Sequence, residues 1–367
     1  MRTVLMRDEE EKMEKKDLKS MMYDEVLKEM AQIGLPSFRG KQIYSWLHEK
    51  LVPDFEQMSN LSKTLRTQLE ESYICESLKP IEVLTSKIDG TQKYLFQLSD
   101  GNVIESVLMR YKHGNSVCIS SQVGCRMGCR FCASTIGGLT RNLRTSEMLD
   151  QIYRIQSMTG ERVSNVVVMG TGEPMDNYEN LLKFIHMLTD EHGLNISQRN
   201  ITVSTCGIVP RMYELAEEKL QITLALSLHG SNQEKRKSLM PIANKYPITE
   251  VIEACRNYFE KTGRRITFEY SLVGGVNDTE EDVRELCGLV KDVNCHINLI
   301  PVNPIKERDF KQSDKKVILN FKNKLEKCGI NVTIRREMGR DIDGACGQLR
   351  KSYIDNKQCK EDKREDS

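Results

Sequence analysis

Apolar positions recur with three different spacings along the chain. From Tyr23 to about Tyr73 the spacing is helical: Leu27, Met30 and Ile33, then Ile43, Trp46, Leu47 and Leu51. Gly34 to Gly40, GLPSFRG with Pro36 inside it, predicts a break between two helices. From about Glu82 the period drops to two. Asp89-Gly90, Asp100-Gly101 and His113-Gly114-Asn115 then fall where hairpin turns between alternating strands belong. Beyond Cys118 short apolar runs alternate with amphipathic ones. Val166–Met169, Ile201–Thr205, Ile222–Leu228, Ile266–Leu272, Ile297–Val302 and Val332–Arg335 predict strands. Ser146–Met158, Asn180–Thr189 and Glu281–Val290 predict helices between them. Such alternation indicates βαβ units and a parallel sheet, either an incomplete or full α/β barrel or an open doubly wound sheet. In both, a site belongs at the carboxyl ends of the strands.

The expected organisation is a charged tail over 1–22, a small helical domain over 23–80, an antiparallel β extension over 81–117, the α/β core over 118–350 and a disordered tail over 351–367. Residues 7–20 are a mixed-charge run, read as a solvated helix or frayed end. The 367 residues can bury a substantial core without staples. With 54 Lys+Arg against 53 Asp+Glu, the chain is neither a uniformly basic nucleic-acid coat nor acidic, which leaves room for a local basic face. No apolar run approaches the ~18–20 residues that span a bilayer, and the first residues lack the apolar stretch of a secretory signal. A cytoplasmic setting is expected. There, the 12 cysteines point to metal or catalytic roles and away from a disulfide framework.

The densest chemical signal is GCRMGCRFCAS, which spaces Cys125, Cys129 and Cys132 as CxxxCxxC. Gly124 and Gly128 permit the tight turns that let three thiolates face one centre. Three ligands leave one iron of a four-iron cluster open to a small molecule. The alternative is a structural zinc completed by Cys118 or a distant residue, although no second cysteine pair appears.

CxxxCxxC with an aromatic residue before the last cysteine, after the first strand of an α/β domain, resembles the radical S-adenosylmethionine (SAM) superfamily. CISSQVGCRMGCRFCASTIGGLTRNL, VMGTGEPMDN, VSTCGIVP, LALSLHG, RKSLMPI, PVNP and GRDIDGACGQL, in that order over roughly residues 25–350, resemble the RlmN/Cfr family. CASTIGGLTRNLRTSE looks more like its carbon-2 branch than its carbon-8 branch. The resemblance implies a partial (β/α)6 TIM-type barrel and one [4Fe–4S] cluster on Cys125, Cys129 and Cys132. It also implies two SAM molecules per turnover. The expected activity is methylation of an adenosine in the peptidyl transferase centre of 23S rRNA, with a tRNA anticodon loop as a further candidate substrate. Flavodoxin or ferredoxin is the expected reductant, and a monomer the expected state.

The remaining residues carry weaker signals of their own. Gly170-Thr171-Gly172-Glu173-Pro174 is a glycine turn after a strand, ordinary in α/β folds. Ser204, Ser227, Leu228, His229 and Asn303 lie at the ends of predicted strands, where one polar residue alone is most often a cap or turn. By resemblance, Gly172 and Glu173 meet the amino group and methionine part of SAM. Ser204 and Asn303 hydrogen-bond to SAM, and Ser227 to His229 line its adenosine. Cys118, in VCIS, reads alone as a buried small hydrophobe. By resemblance, Cys346 accepts a methyl group, a methylene radical formed on it adds to the adenine, and Cys118 closes a disulfide that releases the product. Glu105 shares its alternating face with Val103, Val107 and Met109, so it either reaches out at an edge or is tuned as a base. By resemblance it is the proton acceptor. Arg335, Arg336 and Arg340 lie upstream of Cys346 and would favour its thiolate. Candidate RNA contacts are Arg39, Lys41, Lys63, Arg66, Arg126, Arg130, Arg141, Arg144 and Lys235-Arg236-Lys237. Rival readings are carbon-8 methylation and, in another class, an iron–sulfur redox sensor or electron carrier.

Overall fold

The computed structural model describes residues 15–305, 308–344 and 348. It consists of two compact units divided between Glu76 and Ser77. The first opens with a short strand, β1 (Lys16–Asp17), and continues through α1 (Tyr23–Gln32), α2 (Ser37–His48) and α3 (Lys63–Ser72) to β2 (Tyr73–Ile74), which pairs with β1. The helical break is shorter than GLPSFRG: Ser37–Gly40 already belong to α2, and Pro36 occupies its N-cap position. Val26 and Met30 of α1 and Ile43, Tyr44 and Leu47 of α2 bury against Leu65 and Leu69 of α3. The expected tail ends earlier than predicted. Residues 16–20 belong to this unit, because Leu18 enters its core and the buried Lys19 ammonium donates to the Glu76 carbonyl at 2.9 Å.

The second unit is built on a ten-stranded sheet in the order β14-β13-β12-β11-β10-β9-β6-β5-β4-β3. β3 (Lys79–Thr85), β4 (Gln92–Gln97), β5 (Val103–Tyr111) and β6 (Gly114–Cys118) are antiparallel, joined at the three expected turns. A small ribbon follows, β7 (Gln122–Gly124) against β8 (Leu139–Asn142). Then come α4 (Thr145–Thr159), β9 (Val163–Val168), α5 (Tyr178–Thr189), β10 (Ile201–Thr205), α6 (Val209–Glu217), β11 (Thr223–Ser227), α7 (Gln233–Leu239) and α8 (Ile248–Thr262). The unit continues with β12 (Ile266–Leu272), α9 (Glu280–Val290), β13 (Cys295–Pro301), α10 (Lys315–Lys327) and β14 (Asn331–Ile334).

From β6 through β9 to β14 every neighbouring pair is parallel, in chain order and without reversal. A doubly wound sheet would reverse at a switch point, so the architecture is a partial α/β barrel. The antiparallel strands continue the same sheet, because β5 pairs with β6 on one side while β9 pairs with it on the other. The first parallel strand thus begins at Gly114, with Cys118 as its last residue. Parallel alignment brings the carboxyl ends of β6 and β9–β13 to one rim.

Candidate active site at the strand ends

The cysteine loop hangs between β7 and β8, closed by the Cys125 N–H donating to Gly138 O at 3.1 Å. Gly124 has φ +79°, and an added Cβ would run into the Gly138 carbonyl, so only glycine fits. The Cys132 N–H donates to Cys129 O at 3.2 Å, and the Thr135 hydroxyl donates to the carbonyls of both. The Arg130 N–H reaches across to Leu239 O at 2.9 Å, tying the loop to the end of α7. Cys125, Cys129 and Cys132 line one cavity together with Gly172, Glu173, Ser204, Ser227, His229 and Asn303. The sequence separates these residues widely; the fold collects them.

The cavity walls explain the glycines. Gly172 has φ +113°, and a Cβ there would lie 2.7 Å from Gln122 Cβ and Ser121 Oγ. The buried Glu173 carboxylate accepts from the N–H of Met175 at 3.1 Å and of Cys206 at 2.7 Å. Burial raises its pKa, and those hydrogen bonds oppose the rise. Ser204 Oγ and Ser227 Oγ stand 3.5 Å apart. His229 is held at φ +52°, with Nδ1 accepting from the Ser271 N–H at 2.9 Å and its ring edge-on to Phe131. Burial, then the charge of Arg236, pushes its pKa down to about 3, so the imidazole is neutral. Leu228 lies between Ser227 and His229 and is not in the cavity lining. The alternation that turns Ser227 and His229 to the cavity buries its side chain, its N–H donates to Glu269 O and its carbonyl accepts from Arg236.

A second cavity adjoins the first and shares Met169, Ile300, Asn303 and Arg335 with it. Cys118, Val107, Met109, Met338 and Gly344 also line it. Cys118 is buried, yet it lies on a cavity wall and is not simply core packing. Cys346 lies outside the described residues; Gly344 is the nearest described residue preceding it. Glu105 lines neither cavity. β5 is an inner strand, so Glu105 does not reach out at an edge; its carboxylate lies 3.6 Å from the buried Lys93 ammonium. Lys93 also donates to Asp343 O at 3.4 Å.

Several cations expected at an RNA surface serve the fold. Arg141 and Arg144 both pair with Glu147, Arg126 pairs with Asp176, and Lys235 pairs with the buried Asp282 at 2.7 Å. Arg236 is fully buried. Arg335, expected to serve Cys346, lies 3.7 Å from Glu269, and Arg340 pairs with Glu337. Cys206 and Glu269, which line the first cavity, were missed as site residues, and the buried Arg236, expected as a surface contact to RNA, is not one. A signal existed for Arg236, which lies three and four positions before the buried Leu239 and Met240 on a helical face.

Among the described residues, no three His, Cys, Asp or Glu side chains converge closely enough for one metal ion. A cluster places its thiolates on separate irons and needs no such convergence. Burial pushes the Cys125 thiol up to about 12 and raises the Cys129 thiol well above its ordinary value, so the thiolates need the charge of bound iron, as in other thiolate–metal sites. The donor set fits an iron–sulfur cluster, and the rim fits SAM: a buried carboxylate for an ammonium, paired hydroxyls, and a backbone turn stripped of side chains.

Comparison with known proteins agrees. Residues 119–290 match the Radical SAM superfamily, and residues 16–75 match the ribosomal RNA large subunit methyltransferase N-terminal domain. The probable dual-specificity RNA methyltransferase RlmN of Lachnospira eligens is 68% identical over 93% of this chain and 97% of its own. The protein of the same name from Lachnoclostridium phytofermentans is 65% identical over 93% and 96%. A crystal structure of a radical SAM methyltransferase from Sphaerobacter thermophilus is 42% identical with a TM-score of 0.88, covering 92% of this chain and 99% of that one. The chain belongs to the RlmN family of radical SAM enzymes, which use a [4Fe–4S] cluster and SAM.

Proposed function

We propose that the protein methylates carbon 2 of an adenosine in the peptidyl transferase centre of 23S rRNA, and of an adenosine in the tRNA anticodon loop. The observation that carries this reading is the adjacency of the two cavities: the one lined by the cysteine loop and SAM-type rim shares Met169, Ile300, Asn303 and Arg335 with the one lined by Cys118 and Gly344. The printed names of the relatives, dual-specificity RNA methyltransferases, support the substrate class. The helical unit supports it too. An exposed Phe38 lies under the Arg39 guanidinium at 4.9 Å, and Lys50 lies over Trp46 at 3.8 Å. Such cation–aromatic pairs stack on unpaired bases.

In this proposal Cys125, Cys129 and Cys132 hold the cluster, with Gly172, Glu173, Ser204, Ser227, His229 and Asn303 around SAM. When bound, the pair supplies a carbon radical, which matters because carbon 2 of adenine is not nucleophilic. Cys346 would carry the incoming carbon as a thioether; loss of a hydrogen atom from that carbon to the SAM-derived radical would let it bond to carbon 2, and the adduct would pass its odd electron back to the cluster. Glu105 removes the ring proton. The Cys118 thiolate then attacks the Cys346 sulfur: a disulfide forms, the carbon–sulfur bond breaks, and its electron pair returns to the product carbon, which takes a proton as methyl. A flavodoxin or ferredoxin reduces the cluster, and the enzyme acts as a cytoplasmic monomer.

The test is anaerobic incubation of reconstituted enzyme with 23S rRNA and tRNA, followed by mapping of methylated adenines. Carbon-2 product on both RNAs is expected; carbon-8 product, or none, overturns the assignment. Cys118→Ala is expected to trap RNA covalently on Cys346, and free methylated product from that variant would remove Cys118 from its role.

A further inference from the structure

Arg236 is the largest fully buried side chain of the described residues. Its guanidinium donates to three carbonyls at the strand ends: Ser227 at 2.7 Å, Leu228 at 2.6 Å and Cys206 at 2.6 Å. Nη1 also touches Met240 Sδ, and Nε has no hydrogen-bond partner. Among the described residues no carboxylate pairs with it. Space is reserved for it: a Cβ on Gly230 would lie 2.5 Å from Arg236 N, and one on Gly207 3.2 Å from Nη2. A permanent charge sealed from water without a counter-charge is costly, and carbonyl dipoles compensate it only in part. Lowered local dielectric also makes its field felt strongly by neighbours.

Two buried charges flank Cys206. Glu173 accepts the Cys206 N–H at 2.7 Å, while Arg236 donates to the Cys206 carbonyl. The backbone of Cys206 holds carboxylate and guanidinium apart, so neither neutralises the other directly. Cys206 and Met240, both touched by Arg236, pack against Cys129 of the metal loop and line the cavity with it. A cluster on three thiolates becomes more negative when it takes an electron. A buried cation beside it therefore stabilises the reduced form more than the oxidised one.

We infer that Arg236 is the counter-charge of the iron–sulfur cluster and raises its reduction potential, while its hydrogen bonds hold the β10 and β11 ends that receive SAM. The inference rests on Cys125, Cys129 and Cys132 carrying the cluster. It makes Arg236 a positioning and electrostatic residue, with no contact to RNA.

The experiment compares wild type, Arg236→Gln and Arg236→Lys after anaerobic reconstitution. Iron content and the visible spectrum report the cluster itself; a wild-type chain that binds no iron would fail the underlying reading and not this inference. Redox titration followed by electron paramagnetic resonance then reads the potential. Gln keeps donors and removes charge. It is expected to lower the reduced-to-oxidised ratio at fixed poise about tenfold, ~59 mV for one electron. Lys keeps the charge and is expected to stay within about threefold of wild type, under ~30 mV. A wild-type potential in the Gln variant overturns the inference, as does a Lys variant that falls as far as Gln. If the Gln variant does not load iron, the Lys variant decides alone: retention supports the inference and a fall of the tenfold size overturns it.

Discussion

Replacing Gly172 with alanine strains the turn that approaches the proposed SAM site. Gly172 adopts φ +113°, which L-residues rarely enter, at a cost of about 1–3 kcal/mol. The new methyl would lie 2.7 Å from Gln122 Cβ and Ser121 Oγ and 2.8 Å from Gln122 N. Gln122 cannot retreat freely. Its amide donates to Asn142 and Asp176, and its Oε1 accepts the Glu173 N–H at 2.8 Å. Overpacking such a wall costs a further ~1–3 kcal/mol. The sum, about 2–6 kcal/mol, is large against the ~5–15 kcal/mol that stabilises a domain. Gly160→Ala is the matched control: φ is +68°, and nothing lies within 4 Å of an added Cβ. It incurs only the left-handed cost of roughly 1–2 kcal/mol, offset by ~0.4–1 kcal/mol from a less flexible unfolded chain. Urea unfolding of the apoproteins and SAM binding to the reconstituted enzymes measure both effects. The two variants share the backbone cost and differ by the overpacking, so Gly172→Ala is expected to be about 1–3 kcal/mol less stable than Gly160→Ala and to bind SAM about tenfold more weakly, as Glu173 is displaced. Equal stability of the two variants with SAM affinity unchanged would refute the reasoning.

Lys93→Met removes the buried cation beside Glu105 and is expected to cost about 3–5 kcal/mol in urea unfolding. Adding Glu105→Gln should recover most of that loss; strictly additive losses would show that the pair is not coupled. His48 is fully buried, and burial followed by the charge of Lys19 pushes its pKa down to about 3. The unfolded chain gains this proton near pH 6.5 and the folded unit only near 3, so stability rises with pH across that window. It is expected to fall by ~1.4 kcal/mol per pH unit on acidification below 6.5. Trp46, the single tryptophan of the chain, lies in the same unit and reports it by fluorescence. His48→Gln should flatten the acid dependence, and an unchanged slope would assign it elsewhere.

Elements were legible wherever spacing alone decides them. Ile201–Thr205 and Ile266–Leu272 coincide with β10 and β12, and the three glycine turns join the predicted hairpins. Lys16–Ser20 was not legible, because its partner strand lies more than fifty residues away and the local charge run conceals one buried leucine. Nor was the role of Arg236, which a count of charges places in solvent and the fold seals under two strand ends.

Periodicity and motif spacing, both local properties, determined which segments become strands or helices and which three cysteines can face one centre. Strand order is non-local: only the paired backbone distinguishes a partial barrel from a doubly wound sheet. The same applies to charge. Whether Glu105 meets Lys93, or Arg236 meets carbonyls and no carboxylate, depends on residues brought together by long-range packing, and burial then sets how strongly each charge is felt.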